Sequence, residues 1–361
     1  MVRDWKLVPP KLRKGSWNSL INDFVELSPY YVRKNSGEDL LQTVAAYYPE
    51  RKICVPPGAY ITDEPLCPIG ADDEEATILG TKEGIIEGCG ERTIMKAAAG
   101  VSPTVKYAHY HGHTAYAQSR PVLRDICIDA NGNQDALELD NVKHGEFEHL
   151  LLKNFTRYGH HSLGQTTTSS GHSYWNLLRD VRVSTGACTA ALCAEKNAID
   201  NFYEHIWGTA NGVGFLCKGD GGHILRDIWL VDVINEIKLH AIDDDIYDIT
   251  IQNARVDTPT DHGISMELNN HSITRVKVLS PHFFKIPLAK DNFNFIGFAE
   301  KGFAHLLIDC PDDDTSIPRW NYNWDGIGAF PTTNKIRTNK LTLGSSGKNN
   351  NVPAGCFICE D

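Results

Sequence analysis

Seven segments of the chain repeat one pattern, and that repetition constrains the fold more than any other feature. They are VLRDICID (122–129), GEFEHLLLKN (145–154), NLLRDVRVS (176–184), NFYEHIWG (201–208), HILRDIWLVD (223–232), DIYDITIQN (245–253) and SITRVKVLS (272–280). Each carries an apolar residue, two mostly polar ones, then apolar residues alternating with others. Aligning Ile126, Leu150, Val181, Ile206, Ile228, Ile249 and Val276 gives steps of roughly 21 to 31 residues, the range of solenoid repeats. HLLID (305–309) is a further candidate copy. Between these lie ALELDN (136–141), AALCAE (190–195), VGFLCKG (213–219), EIKLHAI (236–242) and GISMELNN (263–270), which also alternate. Each period therefore holds at least two short strands, with no room for a crossover helix between parallel strands. The expected fold class is all-β: a right-handed parallel β-helix solenoid, its coils stacked at about 4.8 Å with one residue in two pointing inward. A leucine-rich repeat would show a leucine and asparagine consensus that is absent. A propeller needs longer blades of antiparallel strands.

A solenoid must cover its ends, where strand groups go unpaired. Ser36 and Asp39 fit a capping box, and Leu40, Leu41, Val44 and Tyr48 recur at helical spacing. A short N-terminal capping helix is expected over 38–48. The sequence thus divides into an N-terminal arm or attachment segment (1–35), a parallel β-helix domain (36–310) and a C-terminal cap or subunit-contact tail (311–361).

The opening of the second segment resembles a known group. A short helix (LLQTVAAYY), an apolar strand with Pro-Pro-Gly and an aromatic (ICVPPGAYI), and a Gly-x-Gly-x-x-Thr-Ile-x-Lys (GCGERTIMKA) are similar to the pectate-lyase-like β-helix superfamily. That superfamily includes pectate lyases, polygalacturonases, sugar epimerases and phage tailspikes. The resemblance, over roughly 36–310, implies the fold and a partner that is a polysaccharide or cell-surface glycan lying along the helix. It leaves open a glycoside hydrolase, a polysaccharide lyase, and a non-catalytic tailspike-like receptor-binding or structural virion protein. By likeness to tailspikes it implies a homotrimer and an extracellular or virion-surface location. Fold alone does not choose among these.

The stretch His240 to Lys277 collects the residues for such chemistry. HAIDDDIYD places Asp243, Asp244 and Asp245 in a turn, DTPTDHGISME brings Asp261, His262 and Glu267, and TRVK offers Arg275 and Lys277. Hydrolysis needs two carboxyl groups, about 5 Å apart for retention or about 6.5–9.5 Å for inversion. The expected acid and base lie among Asp243, Asp244, Asp245 and Glu267, with His262, Arg275 and Lys277 assisting. Asp243-Asp244, His262-Gly263 and Arg275-Val276-Lys277 are similar to polygalacturonase motifs, although the preceding Asn-Thr-Asp is missing and Asp261 replaces a glycine. A hydrolase of this kind requires no cofactor, whereas a lyase can use Ca²⁺, for which Asp243 to Asp245, Asp72 to Glu75 and Asp312 to Asp314 are candidate ligands. In YAHYHGHTAY, His109, His111 and His113 share one side of an extended strand and could chelate a transition metal, with Tyr107, Tyr110 and Tyr116 beside them. His160 and His161, near His172, flank a Thr/Ser-rich insertion. Trp320, Tyr322 and Trp324 alternate and could stack on sugars or fill a subunit interface.

A formal net charge of −11 argues against broad nucleic-acid binding. No stretch of about 20 apolar residues is present to span a membrane, and the first residues lack the apolar run of a secretory signal. Of ten cysteines, Cys127, Cys193 and Cys217 sit within apolar strands and read as core thiols. Cys356 and Cys359 form a CxxC that suits a disulfide staple or a metal.

Overall fold

The computed structural model describes residues 24–26, 52–62, 65–66, 85–108, 120–164, 172–269, 271–284, 291–298, 302–309, 320–327, 334–337 and 357–358. All regular structure within them is β, and every strand pairing is parallel. The capping helix expected over 38–48, the His109, His111 and His113 set, the acidic groups 72–75 and 312–314, and Cys356 and Cys359 lie outside the described residues.

Each coil has three long faces. The first carries 122–124, 146–148, 177–179, 202–204, 224–226, Thr250–Gln252, Lys277–Leu279 and Leu307–Asp309. The second carries 126–129, 150–153, 181–184, 206–209, 228–231, Arg255–Asp257 and His282–Phe284. The third carries Asp135–Asp140, Tyr158–Leu163, 190–194, 213–217, Ile237–Ala241, Ile264–Leu268, Asp291–Phe298 and Trp320–Ile327. A short fourth edge, from Ser173–Tyr174 to Phe303–Ala304, closes the coil.

Like stacks on like inside. Leu123, Phe147, Leu178, Tyr203, Leu225, Ile251, Val278, Ile308 and Ile336 are register partners from coil to coil, and all are buried. Such a column keeps apolar surface from water at every rung, roughly 25 cal/mol per Å². Pairing runs past both sequence-drawn domain boundaries: Phe24–Glu26 pairs with Lys52–Cys54, and Trp320–Ile327 pairs with Asp291–Phe298.

The turn from first to second face is made by one left-handed residue per coil: Asp125, His149, Asp180, His205, Asp227, Asn253 and Ser280 have φ between 49° and 58°. Asp, Asn and His tolerate this region better than most side chains. In the first five coils Asp and His alternate, and each imidazole faces a carboxylate on either side: His149 lies 3.6 Å from Asp125 and 3.4 Å from Asp180, and His205 lies 3.3 Å from Asp180 and 3.1 Å from Asp227. One residue earlier, Arg124, Glu148, Arg179, Glu204 and Arg226 also alternate, and Arg226 meets Glu204 at 3.1 Å.

The repeat alignment needs one correction. Ile126, Leu150, Val181, Ile206 and Ile228 do form one column, but Ile224 pairs with Thr250 and Arg226 with Gln252. Ala254 therefore continues from Ile228, while Ile249 and Val276 belong to a column that opens the first face. A second left-handed bend, at Trp175, Asp200, Asp248 and Arg275, precedes that column, and Asp248-Ile249 and Arg275-Val276 carry the same polar-then-apolar signature there, so that these two coils imitate the first bend. The alternation of Trp320, Tyr322 and Trp324 also has another cause. Tyr322 is buried and stacks on Phe293 with centroids 5.1 Å apart, and Trp324 packs edge-on against Phe303.

Candidate active site on the third face

The outward side of the third face carries two columns of mostly polar residues. One runs Lys106, Glu138, His161, Cys193, Leu216, Lys238 and Ser265 in register. The other, two residues along, includes Asp140, Leu163, Glu195, Lys218, His240 and Glu267. Because strand residues alternate, His160 points into the core and His161 points out. His160 is fully buried against Tyr203, and burial drives it down to about 3, so it is a neutral packing residue.

His161 is the centre of a dense cluster. Its Nδ1 is 3.6 Å from Glu138 and 3.9 Å from Asp135, and its Nε2 is 3.3 Å from Glu195. Burial alone would lower its pKa. The carboxylates of Glu138 and Glu195 outweigh burial and raise it. The ring of Tyr158 lies 4.7 Å from the imidazole and covers Ala190, Cys193, Val213 and Leu216. Its hydroxyl is 3.5 Å from Glu195, and burial pushes it up to about 12, so it stays a phenol.

Cations border the cluster. Lys218 donates to Glu195 at 2.6 Å and stands 5.5 Å from the Tyr158 ring centre. Lys106 lies 3.0 Å from Glu138. Arg157 clasps the buried Asp135, donating through Nε at 2.9 Å and again through a second nitrogen, and lies over Tyr158. Hydrogen bonding to His161, helped by Lys218, overcomes burial and draws Glu195 down to about 2. Glu138 is lowered too, since His161 and Lys106 outweigh its burial.

Donor atoms of Asp135, Glu138 and His161 lie within 4.8 Å of one another, as do those of His161, Cys193 and Glu195. A divalent cation at either place would compete with Arg157, Lys106 and Lys218 for the same carboxylates.

A stability effect with a defined pH window follows. Glu195 has a folded pKa near 2 against an ordinary 4.5, so its contribution is present above about 4.5 and lost as pH falls through about 2. His161 has a raised pKa, so its contribution is present below about 6.5 and lost as pH rises through its folded value. Glu195→Gln is expected to cost on the order of 3 kcal/mol of stability between these limits and so to lower the melting temperature most there, with the difference vanishing toward pH 2. Thermal melts of both proteins across pH measure this.

The residues foreseen between His240 and Lys277 occupy five separate places. Asp243, Asp244 and Asp245 are in the turn after Ile237–Ala241, where Asp244 pairs with Lys196 at 2.8 Å and Asp245 accepts from the Ser272 amide at 2.7 Å. His262, ahead of Ile264–Leu268, faces Asp291 at 3.3 Å and accepts from its amide. Arg275 sits in the second left-handed bend and holds Asp248 by two hydrogen bonds of 2.7 Å. Lys277 is exposed on the first face. Glu267 alone stands on the third face, 2.8 Å from Lys238 and 3.8 Å from His240, four coils from His161 along the same surface.

The architecture is that of a right-handed parallel β-helix, and comparison with solved structures agrees. The A-module of a mannuronan C-5 epimerase from Azotobacter vinelandii aligns with 88% of this chain and 93% of its own, with a TM-score of 0.55 and 14% identity. The Agl-KA catalytic domain (91% of this chain and 65% of its own, TM-score 0.42, 12% identity) and ORF18 of Geobacillus virus E2 (91% and 60%, 0.35, 11%) align less well. At these identities the likeness shows the fold. No protein-family model matches the sequence, and no characterised protein matches it.

Proposed function

We propose that the chain is an enzyme acting on an acidic polysaccharide, and that its third face removes the proton from the sugar carbon that bears the carboxylate. The observation that carries this is the placing of His161 between Glu138 and Glu195, beside a phenol and within a border of Lys and Arg side chains. Hydrolysis by Glu138 and Glu195 is disfavoured. It needs one carboxyl protonated and open space between the two for sugar and water, whereas both are held ionised and the imidazole fills the space between them.

Proton abstraction suits the same groups. A carboxylate-flanked imidazole is a strengthened base, and a base works best with a pKa near the working pH. His161 takes the C-5 proton as the C–H bond breaks, and the electron pair spreads onto the sugar carboxylate. Lys218, Lys106 and Arg157 provide positive charge for that carboxylate. Tyr158 then supplies a proton. Delivered to the opposite face of C-5 it gives the epimer. Delivered to the glycosidic oxygen, as the C4–O bond breaks and C4=C5 forms, it gives chain cleavage. The name of the similarly folded mannuronan C-5 epimerase is in keeping with this chemistry.

One observation favours a second reading. His161 and Tyr158 are only 5% and 4% exposed, which suits an ionic staple between coils of a non-catalytic fibre. Incubating mannuronan and other uronate polymers with the protein in D₂O separates the two. Deuterium at C-5, or unsaturated chain ends absorbing in the ultraviolet, supports the enzyme. Unlabelled, uncut polymer across the panel supports the fibre. Since protein cations take the place that Ca²⁺ fills in many lyases, EDTA is expected to leave the rate unchanged. A rate abolished by EDTA and restored by Ca²⁺ would overturn that assignment.

A further inference from the structure

Two large apolar side chains stand open to solvent on consecutive coils of the second face. Trp207 is 46% and Trp229 39% exposed, and they are register partners. Arg182 precedes them in the same outward column, paired with Trp207 and with its guanidinium 5.2 Å from that ring centre. Arg255 follows on the next coil, its guanidinium 4.3 Å from the Trp229 centre and 4.7 Å from that of Phe284. The column thus reads Arg, Trp, Trp, Arg over four rungs. Arg182 is also held by Glu91 at 2.7 Å, whereas Arg255 is exposed and makes no ion pair among the described residues. Of the neighbouring carboxylates, Asp227 faces His205 at 3.1 Å, and Asp257 stands two residues along from Arg255 in the flanking column.

The core does not require these indoles, because the inward positions of the same strands are filled by Val183, Ile206, Ile228 and Leu230. Exposed apolar surface of this kind marks a binding place. Its shape selects the occupant. The strip is one side chain wide, bounded on one side by the Asp–His bend column and on the other by Ser184, Thr209, Val231 and Asp257. A protein partner needs about 800 Å² with an apolar centre, which a single line of residues does not offer. A second copy docking by a two-fold axis would bring the arginine ends against one another. A linear chain of pyranose rings needs only a line: its C–H faces stack on the indoles, and its carboxylates meet Arg255 and Arg182.

We propose that the Arg182–Trp207–Trp229–Arg255 column is a second glycan-binding surface for a linear acidic polysaccharide, separate from the cluster on the third face. It rests on the reading above only for the acidity of the sugar. Such a surface would hold the polymer while the third face acts on another part of it.

The test is titration of the intact protein with oligouronates and with a neutral glucan, followed by intrinsic tryptophan fluorescence and by calorimetry. Saturable oligouronate binding is expected, weakened by salt and about tenfold or more weaker in Trp207→Ala/Trp229→Ala. Trp229→Phe, which keeps an aromatic face, is expected to retain most of the affinity. Tyr158→Phe is expected to leave this binding in place even if it abolishes activity, so failure of the catalytic reading and failure of this one are distinguishable. Equal binding of the neutral glucan would overturn the acidic assignment. Binding unchanged in the double tryptophan variant, absence of binding, or loss of self-association in that variant without any glycan response would overturn the surface itself.

Discussion

Replacing His161 by glutamine is expected to lower the rate of C-5 proton removal about 100- to 10,000-fold, the usual contribution of a positioned general base. Glutamine keeps a hydrogen-bonding side chain between Glu138 and Glu195 but cannot accept the proton. Tyr158→Phe is expected to fall in the same range, because the Tyr158 ring lies 4.7 Å from the imidazole and its hydroxyl 3.5 Å from Glu195. The pH profile carries a further signature. In the wild type the rate rises as His161 loses its proton, at a pH above the ordinary 6.5. In Glu195→Gln one of the flanking charges is gone, so that limb moves to lower pH. A staple without chemistry would show neither the rate loss nor the shift. Initial rates of deuterium uptake against pH, with melting temperatures taken alongside, measure both.

Phe293→Ala is expected to cost about 3–5 kcal/mol, the range for emptying a fully buried aromatic site. Phe293 is 0% exposed, stacks on Tyr322 at 5.1 Å, meets Phe283 edge-on at 5.2 Å and lies 6.4 Å from Phe295. These rings join two successive coils. In a solenoid each coil is stabilised by its neighbours alone, so a cavity at one interface weakens everything beyond it. The C-terminal coils are therefore expected to melt ahead of the rest, splitting one denaturant transition into two. A single transition with unchanged midpoint would contradict the packing described.

The fold was legible because a solenoid writes its period into the sequence. Ile126, Leu150, Val181, Ile206 and Ile228 repeat since each must lie on the one before, and the structure stacks them so. The register was lost after Ile228. There the residue in that column is Ala254, and the bend before Ile249 looks like the bend before Ile228. The Asp–His ladder was equally readable. Asp125, His149, Asp180, His205 and Asp227 each stand immediately before an aligned core position.

The candidate site was harder. Proximity along the chain suggested His240 to Lys277, but in a coil, sequence neighbours diverge onto different faces. The cluster around His161 takes Asp135 and Glu138 from one coil, Tyr158 and His161 from the next, Glu195 from a third and Lys218 from a fourth. His160-His161 had been noticed as a pair. That one is core and the other faces outward follows only when the strand phase is known, and the small residues flanking the pair (Gly159 and Ser162) do not fix that phase.

The central claim is that His161 and its neighbours exchange a proton at C-5 of a uronate. It is tested most directly by NMR of mannuronan and other uronate polymers incubated in D₂O with wild-type protein and with His161→Gln. The account predicts deuterium at C-5 or C4=C5 unsaturated chain ends with the wild type, and next to none of either with the variant at equal fold stability. Labelling that persists undiminished in the variant, or polymer cut into saturated fragments without label, would contradict it.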